Sequence, residues 1–402
     1  MTPVTPFLRR SALALLAGAG LATLAVNLAP GLYHDLRDWR LADLTAPGAA
    51  LFIWPSLTPL AVVTDILMSV VFFLMAKELW EALMRERGPL AGRASLGPLA
   101  LAAGGMAGAA LVWTGISALI ETAEEAAGTP GWLVPMGGSA VLSYVFGRAL
   151  FGMGHPALQV LLLVTLTADL GALALSGLVA PGPGGLRILW LILPVGAALA
   201  GWFLVTRPLS QPGLTERARR RDEAIWPWAL AGAVCWLGVA AAGLPPALGL
   251  LPIIPAMPQA RRAFGLFATA EGFLHDPLNR LAHVLMGPAV VILFLFGLMQ
   301  GGLDLAAFAP TTWVALGALL LGKPLGMAVV ALVLAGRGTL PGGLTLRETA
   351  LVALLAAASF TVPPLVAAAA LPGGAMTEAA RLGVALSLMA GPAALLVARL
   401  WR

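Results

Sequence analysis

The chain has 402 residues, 59% of them apolar and 11% charged, with a mean hydropathy of +0.91 and a formal charge of +5. Soluble domains carry about 25% charged residues, so a water-soluble enzyme is excluded, and the single cysteine, Cys235, excludes a disulfide scaffold. The 47 glycines and 31 prolines sit inside long apolar runs, which excludes disordered and collagen-like chains and points to a bilayer.

Apolar runs fall near 11–31, 57–84, 96–119, 132–150, 157–179, 186–206, 225–242, 244–257, 284–301, 312–335, 348–371 and 379–399. At about 20 apolar residues per crossing, they predict an all-α polytopic membrane protein of about twelve transmembrane helices, a single domain over 1–402. The first run follows Arg9 and Arg10 and is long enough to span, so it reads as a membrane helix rather than a cleaved leader. The longest polar stretch, with Arg217, Arg219, Arg220 and Arg221, reads as a linker over approximately 207–224 whose charges face anionic lipid.

Eighteen arginines lie in alternate connecting segments, whereas the other set holds only Arg37, Arg40, Arg187 and Arg381. The positive-inside rule then predicts that both termini are cytoplasmic. Because the basic residues are spread over many short segments, no nucleic-acid face is expected. Trp54, Trp132, Trp190, Trp202, Trp226, Trp228 and Trp401 lie near run ends, as interfacial anchors do.

Ionisable residues deep in such runs are costly and mark ion or proton paths. Asp169 lies eleven residues into its run and Lys323 at a matching depth in a run of the other half of the chain. Asp65 lies about two turns into the second run, with Lys77 and Glu78 further along it. Asp169 and Lys323 read either as a structural ion pair or as the working charges of a cation or proton site.

Two runs are interrupted at the same depth, by Pro135-Met136-Gly137-Gly138-Ser139 and by Ser359-Phe360-Thr361-Val362-Pro363-Pro364. Proline removes a backbone donor, so both should be broken helices. One precedes the Asp169 run and the other follows the Lys323 run. That mirrored placement predicts inverted-topology repeats, approximately 93–180 and 312–402, with two broken helices crossing at a midplane site.

These segments also carry a family resemblance. Gly322-Lys323-Pro324-Leu325-Gly326 resembles the GKPLG motif of the NhaA-type sodium/proton antiporters. Ala168-Asp169-Leu170-Gly171-Ala172 resembles that family's DDLGA, Gly131-Trp132-Leu133-Val134-Pro135 its GWAIPAATD, and Ser359-Phe360-Thr361-Val362 its GFTMS. Thr64-Asp65-Ile66-Leu67-Met68 through Lys77-Glu78-Leu79 is similar to its second helix, and Arg280-Leu281-Ala282-His283 to RLEHxLHP. The order holds along nearly the whole chain.

The departures are specific. Ala168 stands where the family has the first aspartate of its pair, Gly138 and Ser139 where it has threonine and aspartate, and Gln300 where it has asparagine. The resemblance implies that the missing aspartate would partner the GKPLG lysine. Lys323 must therefore pair with Asp169, find another acceptor such as a backbone carbonyl, or stay neutral.

The resemblance implies a secondary transporter of the bacterial inner membrane, with Asp169 alternately holding Na+ or Li+ and a proton. Thr167, Ser139 and Thr361 are the expected supporting oxygens, since hard cations prefer oxygen ligands. Lys323 would tune Asp169, and Asp65 is a weaker candidate on an access funnel. One carboxylate suggests about one proton per cation, unless Lys323 also releases a proton. The alternative is a diverged relative that no longer exchanges sodium and has a structural or regulatory role or another substrate.

No cofactor and no enzymatic activity are expected: His34, His155, His275 and His283 lie in loops or at run ends, without metal-site spacing. No strand is expected, and no hairpin is legible in 46–58, although the resemblance allows a homodimer.

Overall fold

The computed structural model describes residues 6–43, 56–84, 92–120, 130–182, 184–207, 225–259, 266–267 and 276–401. The expected linker lies outside these residues beyond Arg207. Among the described residues, nine helices are long and apolar enough to cross a membrane: α1 (Phe7–Leu28), α2 (Pro59–Met84), α3 (Leu96–Leu119), α4 (Gly131–Phe151), α5 (Pro156–Val179), α6 (Ile188–Thr206), α9 (Pro277–Gln300), α10 (Pro310–Gly336) and α12 (Gly374–Leu400). Two shorter apolar helices, α7 (Trp226–Ala241) and α8 (Pro246–Ala256), and a broken α11 (Leu346–Ala356 and Pro363–Ala370) complete the twelve segments expected. The protein is an all-α polytopic membrane protein.

Helix starts follow capping chemistry. Pro59, Pro156, Pro277 and Pro310 open their helices, where a missing N–H costs nothing. Asp276 accepts from the amide of Asn279 and starts α9 at Pro277, seven residues before the apolar run at 284. The expectation of no strand is corrected by one two-residue pair, Ala42–Asp43 antiparallel to Ser56–Leu57. Pairing satisfies backbone groups in the connection between α1 and α2, and two residues are too few to leave an alternating pattern in the sequence.

Two pairs of helices touch backbone to backbone. On α3 and α10, a Cβ at Gly104, Gly108, Gly322 or Gly326 would run into the opposite main chain; at Gly326 it would meet the Gly104 carbonyl oxygen and, at 2.9 Å, the Gly108 Cα. On α1 and α9, a Cβ added at Gly18 would lie 2.9 Å from Leu298 N, and one added at Gly297 would lie 2.9 Å from Ala19 N. Small residues replace hydrophobic driving force where lipid competes equally for apolar side chains. Helix α5 is buried over most of its length, up to Gly177, whereas α6 exposes Ile188, Leu189, Ile192 and Leu204. The first is a central post and the second a peripheral, lipid-compatible helix, packed on α7 and α8.

Candidate ion site

The site forms where the breaks in α4 and α11 meet α5 and α10. Helix α4 consists of a 3-10 piece, Gly131–Met136, which contains Pro135, and an α-helical piece, Ala140–Phe151. Gly137, Gly138 and Ser139 link them. Helix α11 ends its first piece at Ala356 and restarts at Pro363-Pro364, which lack the N–H groups a continuous helix would need. Thr361 N (3.3 Å) and Val362 N (3.4 Å) both donate to the Gly138 carbonyl, so the two breaks are bonded to each other. A Cβ at Gly137 would meet Val362 Cγ1 at 2.5 Å, which explains why that crossing carries glycine.

Asp169 reaches this crossing from α5 and is fully buried. Its Oδ1 accepts from Gly138 N at 2.5 Å and its Oδ2 from Ala140 N at 3.3 Å. The carboxylate thus sits at the positive start of the second α4 piece, where backbone N–H groups have no partners of their own. Lys323 comes from α10, immediately after a π-helical turn, Ala318–Gly322. Pro324 has no N–H for the carbonyl of Leu320, and the ladder widens there. Lys323 is 2% exposed.

Of the three fates open to Lys323, the structure has the backbone carbonyl. Its Nζ donates to Gly137 O at 2.6 Å and approaches Ser359 Oγ at 3.5 Å, and among the described residues no ion pair joins it to Asp169. The two groups flank Gly138, where a Cβ would lie 3.2 Å from Asp169 Oδ1 and 3.7 Å from Lys323 Nζ. The lysine therefore closes the carbonyl end of the first α4 piece, and the aspartate closes the amide end of the second.

Ser139 and Thr361 are also brought together, their hydroxyls 2.7 Å apart and fully buried. Thr167 is placed differently. Two residues before Asp169 on a continuous helix it points about 200° away, and its buried hydroxyl has no hydrogen-bond partner among the described residues. Asp65 lies on a π-helical turn, Val62–Leu67, and lines a cavity of about 540 Å³ with Thr64, Ser176, Gln300 and Leu173. Leu173 is one turn along α5 from Asp169, so this hollow approaches the carboxylate without reaching it. A second cavity, about 10 Å³, lies between Ala168, Thr165 and Lys323.

Sequence reasoning quoted Ser359 only as part of a break and missed Ser143 and Ser387. Ser359 Oγ donates to Gly137 O at 3.1 Å, Ser387 accepts from Ser359 N at 3.1 Å, and Ser143 Oγ lies 3.1 Å from the Leu355 carbonyl. They satisfy backbone groups released by the breaks. A buried serine at the depth of a helix break was the available signal. A second charged cluster was also missed as a unit: buried Lys77 lies 3.1 Å from Glu78 Oε1 and 2.9 Å from Glu81 Oε2, and Glu78 Oε2 accepts from Phe267 N at 2.5 Å.

The sequence matches the Na+/H+ antiporter 1 family over residues 7–398. It is 35% identical to the Na(+)/H(+) antiporter NhaA of Jannaschia sp. (strain CCS1), covering 100% of this chain and 98% of that protein. It is 30% identical to NhaA 2 of Pelobacter propionicus, covering 98% and 97%, and 30% identical to NhaA of Geotalea uraniireducens, covering 98% and 95%. With crossed helix breaks in place and similarity along the full length, this chain belongs to the Na+/H+ antiporter 1 family.

Proposed function

We propose that this protein is a secondary active transporter that exchanges Na+ or Li+ for protons across the bacterial inner membrane, with both termini in the cytoplasm. The observation that carries the reading is a fully buried carboxylate, Asp169, at the crossing of two broken helices, with a buried lysine on the far side of Gly138. Deprotonated, Asp169 holds the cation, with Ser139, Thr361 and the carbonyls of the breaks as neighbouring oxygens. Protonated, it is neutral and returns without the ion. Competition at one carboxylate is sufficient for exchange, at one proton per cation. The segments α3–α5 and α10–α12 act as inverted repeats around the site, and rocking of one bundle against the other alternates access.

The test is proton flux in everted vesicles or proteoliposomes with a pH-gradient dye. Added Na+ or Li+ should dissipate the gradient in wild type, and Asp169→Asn should abolish the response. A wild type silent to all monovalent cations would instead support a non-exchanging relative, the reading favoured by Ala168 in place of a second carboxylate.

A further inference from the structure

Both oxygens of Asp169 accept a hydrogen bond in this conformation. One oxygen accepts from Gly138 N at 2.5 Å and the other from Ala140 N at 3.3 Å. The residue that ordinarily caps such a helix start does not do so: Ser139, the N-cap of the second α4 piece, makes no side-chain cap bond. Its hydroxyl is paired with Thr361 instead. The nearest cation is also engaged elsewhere, since Lys323 donates to Gly137 O. The hydrogen bonds to Asp169 therefore come from two peptide N–H groups, and Lys323 acts on the carboxylate through space from the far side of Gly138.

An N–H hydrogen and a metal ion are both positive and both approach the lone pairs of a carboxylate. Each oxygen keeps a second lone pair, but a bound cation and the N–H hydrogens repel each other across one carboxylate, so each weakens the hold of the other. We infer that the amides of Gly138 and Ala140 compete with the transported cation for Asp169, so that loading the ion detaches the carboxylate from the α4 break and unloading restores those bonds. The inference rests on Asp169 being the ion-binding carboxylate. Its consequence is that the α4 break is tied to α5 when the site is empty and released when the site is full, which couples occupancy to movement of a broken helix. It also selects for small ions. A cation must draw the carboxylate from charge-assisted hydrogen bonds, which ions of high charge density do better than large ones.

The test removes a competitor without changing a side chain. Lactic acid incorporated at position 140 turns the Ala140 N–H into an ester oxygen. The Na+ concentration giving half-maximal flux should then fall about tenfold, the value of one hydrogen bond to a charged group. A rise, or no change, would overturn the inference and show that the amide organises the ion site or is indifferent to it. Hydrogen exchange of wild type, read on peptides covering 137–142, gives a second measure that does not depend on ester incorporation. Exchange should quicken in NaCl or LiCl relative to choline chloride, and equal or slower exchange overturns the inference. Failure of the parent reading looks different: flux would survive in Asp169→Asn.

Discussion

Lys323 donates to the carbonyl of Gly137 at 2.6 Å, not to Asp169. Removing this lysine breaks no direct ion pair, and Asp169 keeps its two amides while Gly137 keeps Ser359. Lys323→Met is therefore expected to cost about 1.5–3 kcal/mol, the range for a hydrogen bond to a charged group, rather than the roughly 3–5 kcal/mol of a broken buried pair. Thermal unfolding in detergent, compared with wild type at equal pH, separates the two.

Ala168 borders the cavity of about 10 Å³ that also touches Lys323. Ala168→Asp should place a second carboxylate beside that lysine and move exchange from one proton per cation toward two. Solid-supported-membrane recordings should show little current in wild type after a Na+ jump and a clear current in the variant. A large wild-type current would contradict exchange through one carboxylate.

The contact between α3 and α10 fixes the height of Lys323. At Gly326 an added Cβ meets backbone that cannot yield, the Gly104 carbonyl and the Gly108 Cα. Gly326→Ala should destabilise by about 1–3 kcal/mol through overpacking and lower flux with it. Gly115→Ala on the same α3 meets nothing within 4 Å. It should leave the melting temperature unchanged or raise it slightly, as alanine for glycine in an open helix does.

Ser139 and Thr361 bond across a sequence separation of 222 residues. A double-mutant cycle of Ser139→Ala and Thr361→Val should give a coupling of about 1 kcal/mol. Additive melting shifts would mean that the hydroxyls do not support each other.

Outside the membrane-spanning segments, Tyr33 on the connecting helix Pro30–Arg37 donates to the carbonyls of Leu298 (2.9 Å) and Met299 (3.1 Å) at the end of α9. Burial pushes its phenol above the ordinary value of 10.0. The folded state thus favours the protonated form. That stabilisation is fully present below pH 10 and is lost as pH rises through the elevated value. Tyr33→Phe should cost about 1 kcal/mol near neutrality, with the difference from wild type closing in alkaline melts.

The breaks are legible in the amino-acid sequence because proline and glycine act on their own backbone: Pro135, Gly137, Gly138, Pro363 and Pro364 interrupt helices whatever surrounds them. Asp169 and Lys323 are legible because a charge in an apolar run is costly in any fold. Hydropathy likewise determined the twelve segments, since burial in lipid is decided residue by residue. Thr167 shows the limit of nearness in sequence, because a helix turns it away from Asp169.

What only the tertiary structure decided is who bonds to whom. The acceptor of Lys323, the donors to Asp169 and the pairing of Ser139 with Thr361 all join residues on different helices, and they depend on the distance and angle at which those helices cross. Those quantities follow from packing summed over the whole bundle, including the bare glycine contacts of α3 with α10, and no local stretch of sequence contains them.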